Sequence, residues 1–383
     1  MGKGPGMKVT GVEARVVQAP KPEREFWVSL KPSLRVYRLL VKVFTDAGFV
    51  GCGTSSHQST VRPAAKLIQD GFKDLVVGED PLRPEMVWDR MFRTTYRRLA
   101  AERGWGKAPL VTACSVIDMA LWDILGKAAG IPLYKLLGGY TNRVRVYAGG
   151  GYYRQGKDLA ELRDEMLCFR ALGYDAFKMK IGGLSLREDV ARVAAVRDAI
   201  GPESPLMVDV NGAWDLDAAR EGVRALRDFN LTWIEEPLWW ADAKRSLPRL
   251  RADCPIPIAE GHGEESHFAC MEFIERGAVD VIQFDATSFG GITQSRKIMG
   301  MAEAHHLRFS PHLELQVHAH LVAASPAGFM VESHADPQRD PLWFDLFGAG
   351  LDVKDGWIEV PDRPGLGIEF DEGTIARYAG GPA

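Results

Sequence analysis

Between residues 206 and 285 the chain repeats one pattern: a short apolar run ends in an acid or an imidazole, and a stretch of helical spacing follows. Leu206-Met207-Val208 runs into Asp209, Trp233-Ile234 into Glu235, Pro257-Ile258-Ala259 into Glu260 and His262, and Val281 to Phe284 into Asp285. Residues 217–229 and 266–276 have the helical spacing. Strand, polar tip, helix, strand is the rhythm of a βα barrel, whose chemistry gathers at the C-terminal strand ends. The rhythm extends both ways. Upstream, a strand from Val144, a helix over 159–172, a strand over 176–181 and a helix over 186–200 are predicted. Alternation along the second strand places Lys178 and Lys180 on one face. Downstream, Gly290-Gly291 opens a helix over 293–305, Leu307 to His312 forms a strand and tip, and a helix over 317–324 leads to Phe329–Glu332. This makes about eight strand positions.

The first third has a different period. Residues 8–18 and 34–44 are apolar or alternating, and Asp46-Ala47-Gly48-Phe49 is turn chemistry, so an antiparallel meander is predicted. Residues 60–136 are helical in pattern, and Gly130 with Pro132 stops the apolar helix that runs through 113–129. The fold class expected is α/β. Residues 140–345 form a modified (β/α)8-type barrel, and residues 8–136 form an α+β cap that the tail, about 346–383, completes. The link over 19–33, with Pro20, Pro22, Pro32 and Arg24, is long enough to be a lid. A second polar loop carries His57.

Composition narrows the picture. Of 383 residues, 46% are hydrophobic and 26% charged, as in a globular protein. A net charge of −4 offers no basic footprint for nucleic acid and no polybasic membrane signal. No apolar run is expected to approach the length that spans a bilayer. Residues 1–6 read as a flexible leader without the apolar core of a signal peptide. Five cysteines without paired spacing point to free thiols and a cytoplasmic location.

The strand tips carry the candidate chemistry. Several acids, each ending its own apolar strand, are costly to hold together unless a divalent cation joins them. Single helix-capping acids would be the plainer reading, but not for a whole series. Two lysines on one face of an internal strand should repel and lower each other's pKa, making a neutral amine available as a base. If the barrel order holds, Asp285 and His312 are on neighbouring tips, where the carboxylate would orient the ring and raise its basicity.

These residues resemble the enolase superfamily, mandelate racemase subgroup. The resemblance rests on Phe177-Lys-Met-Lys-Ile-Gly182, Val208-Asp-Val-Asn211, Trp233-Ile-Glu-Glu-Pro237, Asp285, Pro311-His312 and Glu332, taken in this order, and on Ser115–Ile124 with Leu136-Leu-Gly-Gly139 in the cap. It covers nearly the whole chain and implies a (β/α)7β barrel and Mg2+. By it Lys180 is a base on one substrate face with Lys178 as its neighbour, and Asp285–His312 is the acid/base dyad on the other. Asp209 and Glu235 bind Mg2+, Asn211 touches substrate, and Glu332, protonated, donates to the developing oxyanion. The family's third ligand is usually a Glu, and its register here falls on His262 rather than Glu260. His262 is preferred as ligand, which leaves Glu260 as a substrate or supporting group. Ser288 stands where some relatives carry a second lysine, so His312 is the candidate on that face.

The expected function is Mg2+-dependent dehydration of an acid sugar of aldonate or aldarate type. Loss of the proton α to the carboxylate gives an enediolate, and β-elimination of water gives a 2-keto-3-deoxy acid. A racemase or epimerase of a 2-hydroxy acid is the alternative. Arg24 and His57 suit a polyol as substrate-binding groups. The partner expected is a small acid sugar, with no nucleic acid or membrane, and a homo-oligomer.

Overall fold

The computed structural model describes residues 6–20, 25–29, 32–33, 37–95, 98–348 and 352–379. The cap begins with an antiparallel meander of β1 (Val9–Gln18), β2 (Tyr37–Thr45) and β3 (Val50–Ser55) in that spatial order. Gly48, at φ 83°, turns β2 into β3. The helix Lys107–Ala129 lies against β3 and ends at Gly130, which takes the left-handed conformation. Contact is close because β3 carries glycine there: a Cβ on Gly53 would stand 1.8 Å from the Val116 carbonyl oxygen. This helix corrects one expectation. Its 23 residues are long and apolar enough to cross a membrane by length and composition. Here it is the central helix of the cap, buried along its length from Leu110 to Ile124.

The barrel strands are β4 (Arg143–Gly150), β5 (Phe177–Lys180), β6 (Leu206–Asp209), β7 (Leu231–Glu235), β8 (Ile258–Glu260), β9 (Val281–Ile282), β10 (Arg308–Phe309) and β11 (Val331–His334). They run parallel in the order β10-β9-β8-β7-β6-β5-β4-β11. Phe309 N–H donates to Ala327 O and Phe329 N–H to Phe309 O, which closes the ring between β10 and β11. Helices fill each of the seven connections, so the architecture is the modified enolase-type barrel. Several begin with a side-chain cap: Asp158, Ser185, Asp215 and Ser266 each accept from the N–H three residues on.

The barrel interior is an apolar layer of Tyr147, Ala176, Met207, Trp233, Ala259, Val281 and Met330. Burying Met207 and Met330 contributes roughly 1.5–3 kcal/mol each. Two residues further along β6, β7 and β11, the same inward face presents Asp209, Glu235 and Glu332. The apolar floor therefore fixes which strand-tip groups point into the mouth.

The lid segment is anchored to that mouth. Phe26–Trp27 pairs with Pro32–Ser33 on one side and Tyr153–Arg154, just beyond β4, on the other. Trp27 stacks on Tyr153 with ring centroids 6.2 Å apart. Arg24 lies outside the described residues. In the tail, β12 (Trp357–Glu359) adds antiparallel to β4. The chain then reaches the cap, where Leu366 N–H donates to Asp123 and Glu372 meets Arg15 and Lys42.

Candidate active site

Lys178 and Lys180 project from β5 into a ring of acids. Lys178 Nζ lies 2.8 Å from Glu235 Oε1, 2.9 Å from Glu332 Oε2 and 3.8 Å from Asp209 Oδ2. Lys180 Nζ lies 2.5 Å from Asp209 Oδ2. All five residues are nearly inaccessible to solvent. Gly149 makes room for Glu332, since a Cβ there would stand 2.5 Å from Glu332 Oε1. Trp233 Nε1 and Gln283 Nε2 donate to Glu235 Oε2 at 3.1 and 3.0 Å. Asn211 holds Asp209 through its backbone N–H at 2.8 Å and its side-chain amide at 3.2 Å, while its Oδ1 is buried without a hydrogen-bond partner.

This pairing corrects two expected protonation states. Burial alone would depress both lysine pKa values, and mutual repulsion would add to that. The facing carboxylates outweigh both effects, so Lys178 and Lys180 sit above the ordinary lysine value and are ammonium groups here. Burial would raise Glu332, but Lys178, His312 and Lys180 hold its carboxyl down at about 2. Glu332 is ionised rather than a proton donor in this arrangement.

The opposite wall is built from β8 to β10. Asp285 caps the short helix Ala286–Phe289, accepting from the Thr287 N–H and hydroxyl. His312 Nδ1 lies 3.4 Å from Asp285 Oδ2, so the expected pair does meet. Burial would raise Asp285, yet His312, His318 and Thr287 hold it below the ordinary Asp value. Burial lowers His312, and the neighbouring His262 ring lowers it further against the pull of Asp285. The two imidazoles stack with centroids 4.3 Å apart and planes 8° apart.

Glu260 and His262 both stand beside Glu236. β8 ends at Glu260, and Gly261 at φ 123° breaks the alternation that would have carried it onward. His262 turns to the mouth, with Nε2 3.4 Å from Glu236 Oε1 and Nδ1 buried without a partner. Glu260 is buried, and its carboxyl is pushed well up by desolvation and by Glu236 and Glu235. Glu236, the second acid of the pair ending β7, was not singled out from sequence. Its carboxyl is raised by burial against the pull of His262. Strain collects at these tips: Asn211, Glu236, Leu313 and Glu314 have positive φ without being glycine, within two residues after Asp209, Glu235 and His312.

Among the described residues no three acidic or imidazole side chains already converge as metal ligands. The chemistry of the donor set nevertheless fits a hard divalent cation. Asp209, Glu235, Glu236 and Glu260 crowd the ends of β6, β7 and β8, where burial first and neighbouring carboxylates second raise Glu236 and Glu260, and a cation would offset both.

A cavity of about 480 Å3 opens from Asp285 and His312 toward the cap. Its far wall holds His57, as expected, and also Arg38, Tyr152, His334, Arg339 and Asp340, which the sequence pattern did not reveal. These come from β2, from the loop after β4, and from the end of β11 and the segment after it.

Comparison with known proteins matches residues 11–138 to the mandelate racemase / muconate lactonizing enzyme N-terminal domain and residues 161–374 to the enolase C-terminal domain-like family. The chain is 34% identical to arabinonate dehydratase of Saccharolobus solfataricus, over 88% of this chain and 89% of that one. It is 34% identical to L-talarate/galactarate dehydratase of Salmonella typhimurium, over 89% and 82%. A mandelate racemase/muconate lactonizing enzyme from a marine actinobacterium, solved in complex with magnesium, superposes with a TM-score of 0.87 at 31% identity, over 97% and 99%.

Proposed function

The chain belongs to the mandelate racemase / muconate lactonizing enzyme family of the enolase superfamily, and from that premise we propose that it is a Mg2+-dependent dehydratase of acid sugars. In this reading residues 8–136 with 346–383 cap a catalytic barrel of residues 140–345. The observation that carries it is the pairing of two opposed proton-handling groups across one mouth: Lys180 on β5 and the Asp285–His312 pair beyond β9 and β10. Dehydratase relatives at 34% identity support the substrate class.

Asp209 and Glu235 would hold Mg2+, with His262 as the third protein ligand and Glu236 and Glu260 adding negative charge around it. When bound, Mg2+ supplies charge stabilisation to a carboxylate whose α-carbon is losing its proton. The chain's own residues do the rest. Lys180 would first release to solvent the proton that its pairing with Asp209 holds in place, and its neutral amine would then take the α-proton at Nζ. Lys178 stays cationic between Glu235 and Glu332 and offsets charge that develops on the substrate carboxylate. To act as the acid, His312 must first take up a proton against the downward pull of burial and His262; Asp285 fixes the ring and stabilises that cation, which then gives its proton to the departing β-hydroxyl. Asn211 holds Asp209 in place and offers its amide to the substrate. The enol product then tautomerises to a 2-keto-3-deoxy acid.

The test is a panel of aldonates and aldarates incubated with enzyme and Mg2+, with formation of 2-keto-3-deoxy acid as the readout and EDTA as control. EDTA-sensitive product from at least one acid sugar is expected. A full panel with no product, using folded enzyme, would refute the reading.

A further inference from the structure

The far wall of the active-site cavity has a charge balance that selects among acid sugars. Two guanidinium groups stand there, and each already has its own carboxylate. Arg38 Nη1 lies 2.6 Å from Glu314 Oε2, with both side chains almost fully buried. Glu314 also accepts from Ser56 and Gln316. Arg339 Nη2 lies 2.5 Å from Asp340 Oδ2. His334 Nδ1 approaches the same oxygen at 3.0 Å, and both ring nitrogens, with Arg339 Nε and Nη2 and Asp340 Oδ2, are buried without a hydrogen bond of good geometry. Burial would raise the carboxyl of Asp340, but Arg339, His334 and Arg38 hold it below the ordinary Asp value, so it is ionised at neutral pH.

Among the described residues the wall therefore balances two guanidinium cations against two carboxylates. It offers N–H donors from Arg339 and His334 beside a carboxylate acceptor from Asp340. The reacting end is different. There a bound divalent cation would supply charge for one carboxylate, beyond the Lys178 and Lys180 ammonium groups that Glu235, Glu332 and Asp209 already pair. Tyr152 stands between the two ends, its ring 5.3 Å from Lys180 Nζ and 4.2 Å from the Arg339 guanidinium carbon.

A hydroxyl both donates and accepts, so a polyol tail can bridge Arg339 or His334 and Asp340. A second carboxylate only accepts. It would meet cations that are already neutralised, and it would lie against the Asp340 carboxylate, a like-charge contact in a desolvated site. We propose that the substrate is a monocarboxylic aldonate whose neutral hydroxylated tail is read by Arg339, His334 and Asp340, rather than a dicarboxylic aldarate. This rests on the acid-sugar dehydratase reading and narrows it.

The experiment compares kcat/KM for pentonates and hexonates with the aldarates of the same stereochemistry, galactonate against galactarate among them, in wild type and in Asp340→Asn. Wild type should favour the aldonate of each productive pair by at least about tenfold, as a buried like-charge contact implies. Asp340→Asn leaves Arg339 uncompensated, so the aldonate-to-aldarate ratio should fall by about tenfold, with circular dichroism showing a folded protein. A wild type that prefers aldarates overturns the inference while leaving the dehydratase reading intact. So does an unchanged ratio in folded Asp340→Asn. If that variant does not fold, the wild-type ratio alone decides. Turnover of neither series refutes the dehydratase reading and this inference together.

Discussion

Replacing His320 with Gln removes a buried, neutral imidazole that ties the barrel to its cap. His320 lies in the helix Leu315–Ala324, is 1% exposed, and has both nitrogens in use. Nδ1 accepts from the Tyr134 N–H at 3.3 Å, and Nε2, as the N–H tautomer, donates to Leu366 O at 3.1 Å. A second proton on the ring would set an N–H against the Tyr134 N–H. Burial accordingly moves the pKa from 6.5 down to about 4, against the mild upward pull of Leu366. A depressed folded-state pKa gives stability that is complete above pH 6.5 and is lost as pH falls through about 4. At roughly 1.36 kcal/mol per pKa unit, a shift of about 2.5 units is worth about 3 kcal/mol. Urea unfolding of wild type and His320→Gln at pH 7.5 and pH 4 reads this directly. The variant is expected to be less stable at pH 7.5 and to close most of that gap at pH 4. An equal gap at both pH values would refute the reasoning, because it would mean that His320 does not titrate between them.

Three further outcomes follow from the geometry. Arg38→Met leaves the fully buried Glu314 without its cation and should cost about 3–5 kcal/mol in denaturant unfolding, with Ser56 and Gln316 keeping it toward the lower end. Gly53→Ala drives a methyl into the Val116 carbonyl and should abolish soluble folded protein, or lower the melting temperature sharply, whereas Gly300→Ala, with open space around it inside the helix Gly291–Ala304, should keep the fold and raise the melting temperature slightly in the same assay. Lys180→Met and His312→Asn should each lower kcat by roughly 10²–10⁴-fold while leaving the circular dichroism spectrum unchanged, and only the variant that retains the acting base should still exchange the substrate α-proton with deuterium.

The barrel and the positions of its tip residues were legible because one physical regularity governs both. Met207 and Asp209, and Trp233 and Glu235, stand two apart on short strands, so the apolar floor residue fixes the direction of the acid above it. That regularity ends where the strands end. Gly261 turns the chain after Glu260, so the alternation that spacing predicts does not extend to His262. The protonation states of Lys178, Lys180 and Glu332 depend on partners from β6, β7 and β11, residues far apart in sequence that meet only once the barrel closes. Arg38, His334, Arg339 and Asp340 have no pattern of their own. They reach one wall because the cap strand β2 and the end of β11 with the segment after it arrive there from opposite ends of the chain. The helix Lys107–Ala129 shows the reverse problem: its composition alone cannot tell a cap core from a membrane span, and its burial in the cap decides for the former.

The most direct test of the catalytic account follows an aldonate substrate, enzyme and Mg2+ in D2O by proton NMR. Loss of the C2 proton signal in step with appearance of the C3 signals of a 2-keto-3-deoxy acid is expected. Loss of the C2 signal with no new keto acid would mean epimerisation without loss of water, and would contradict the dehydratase account.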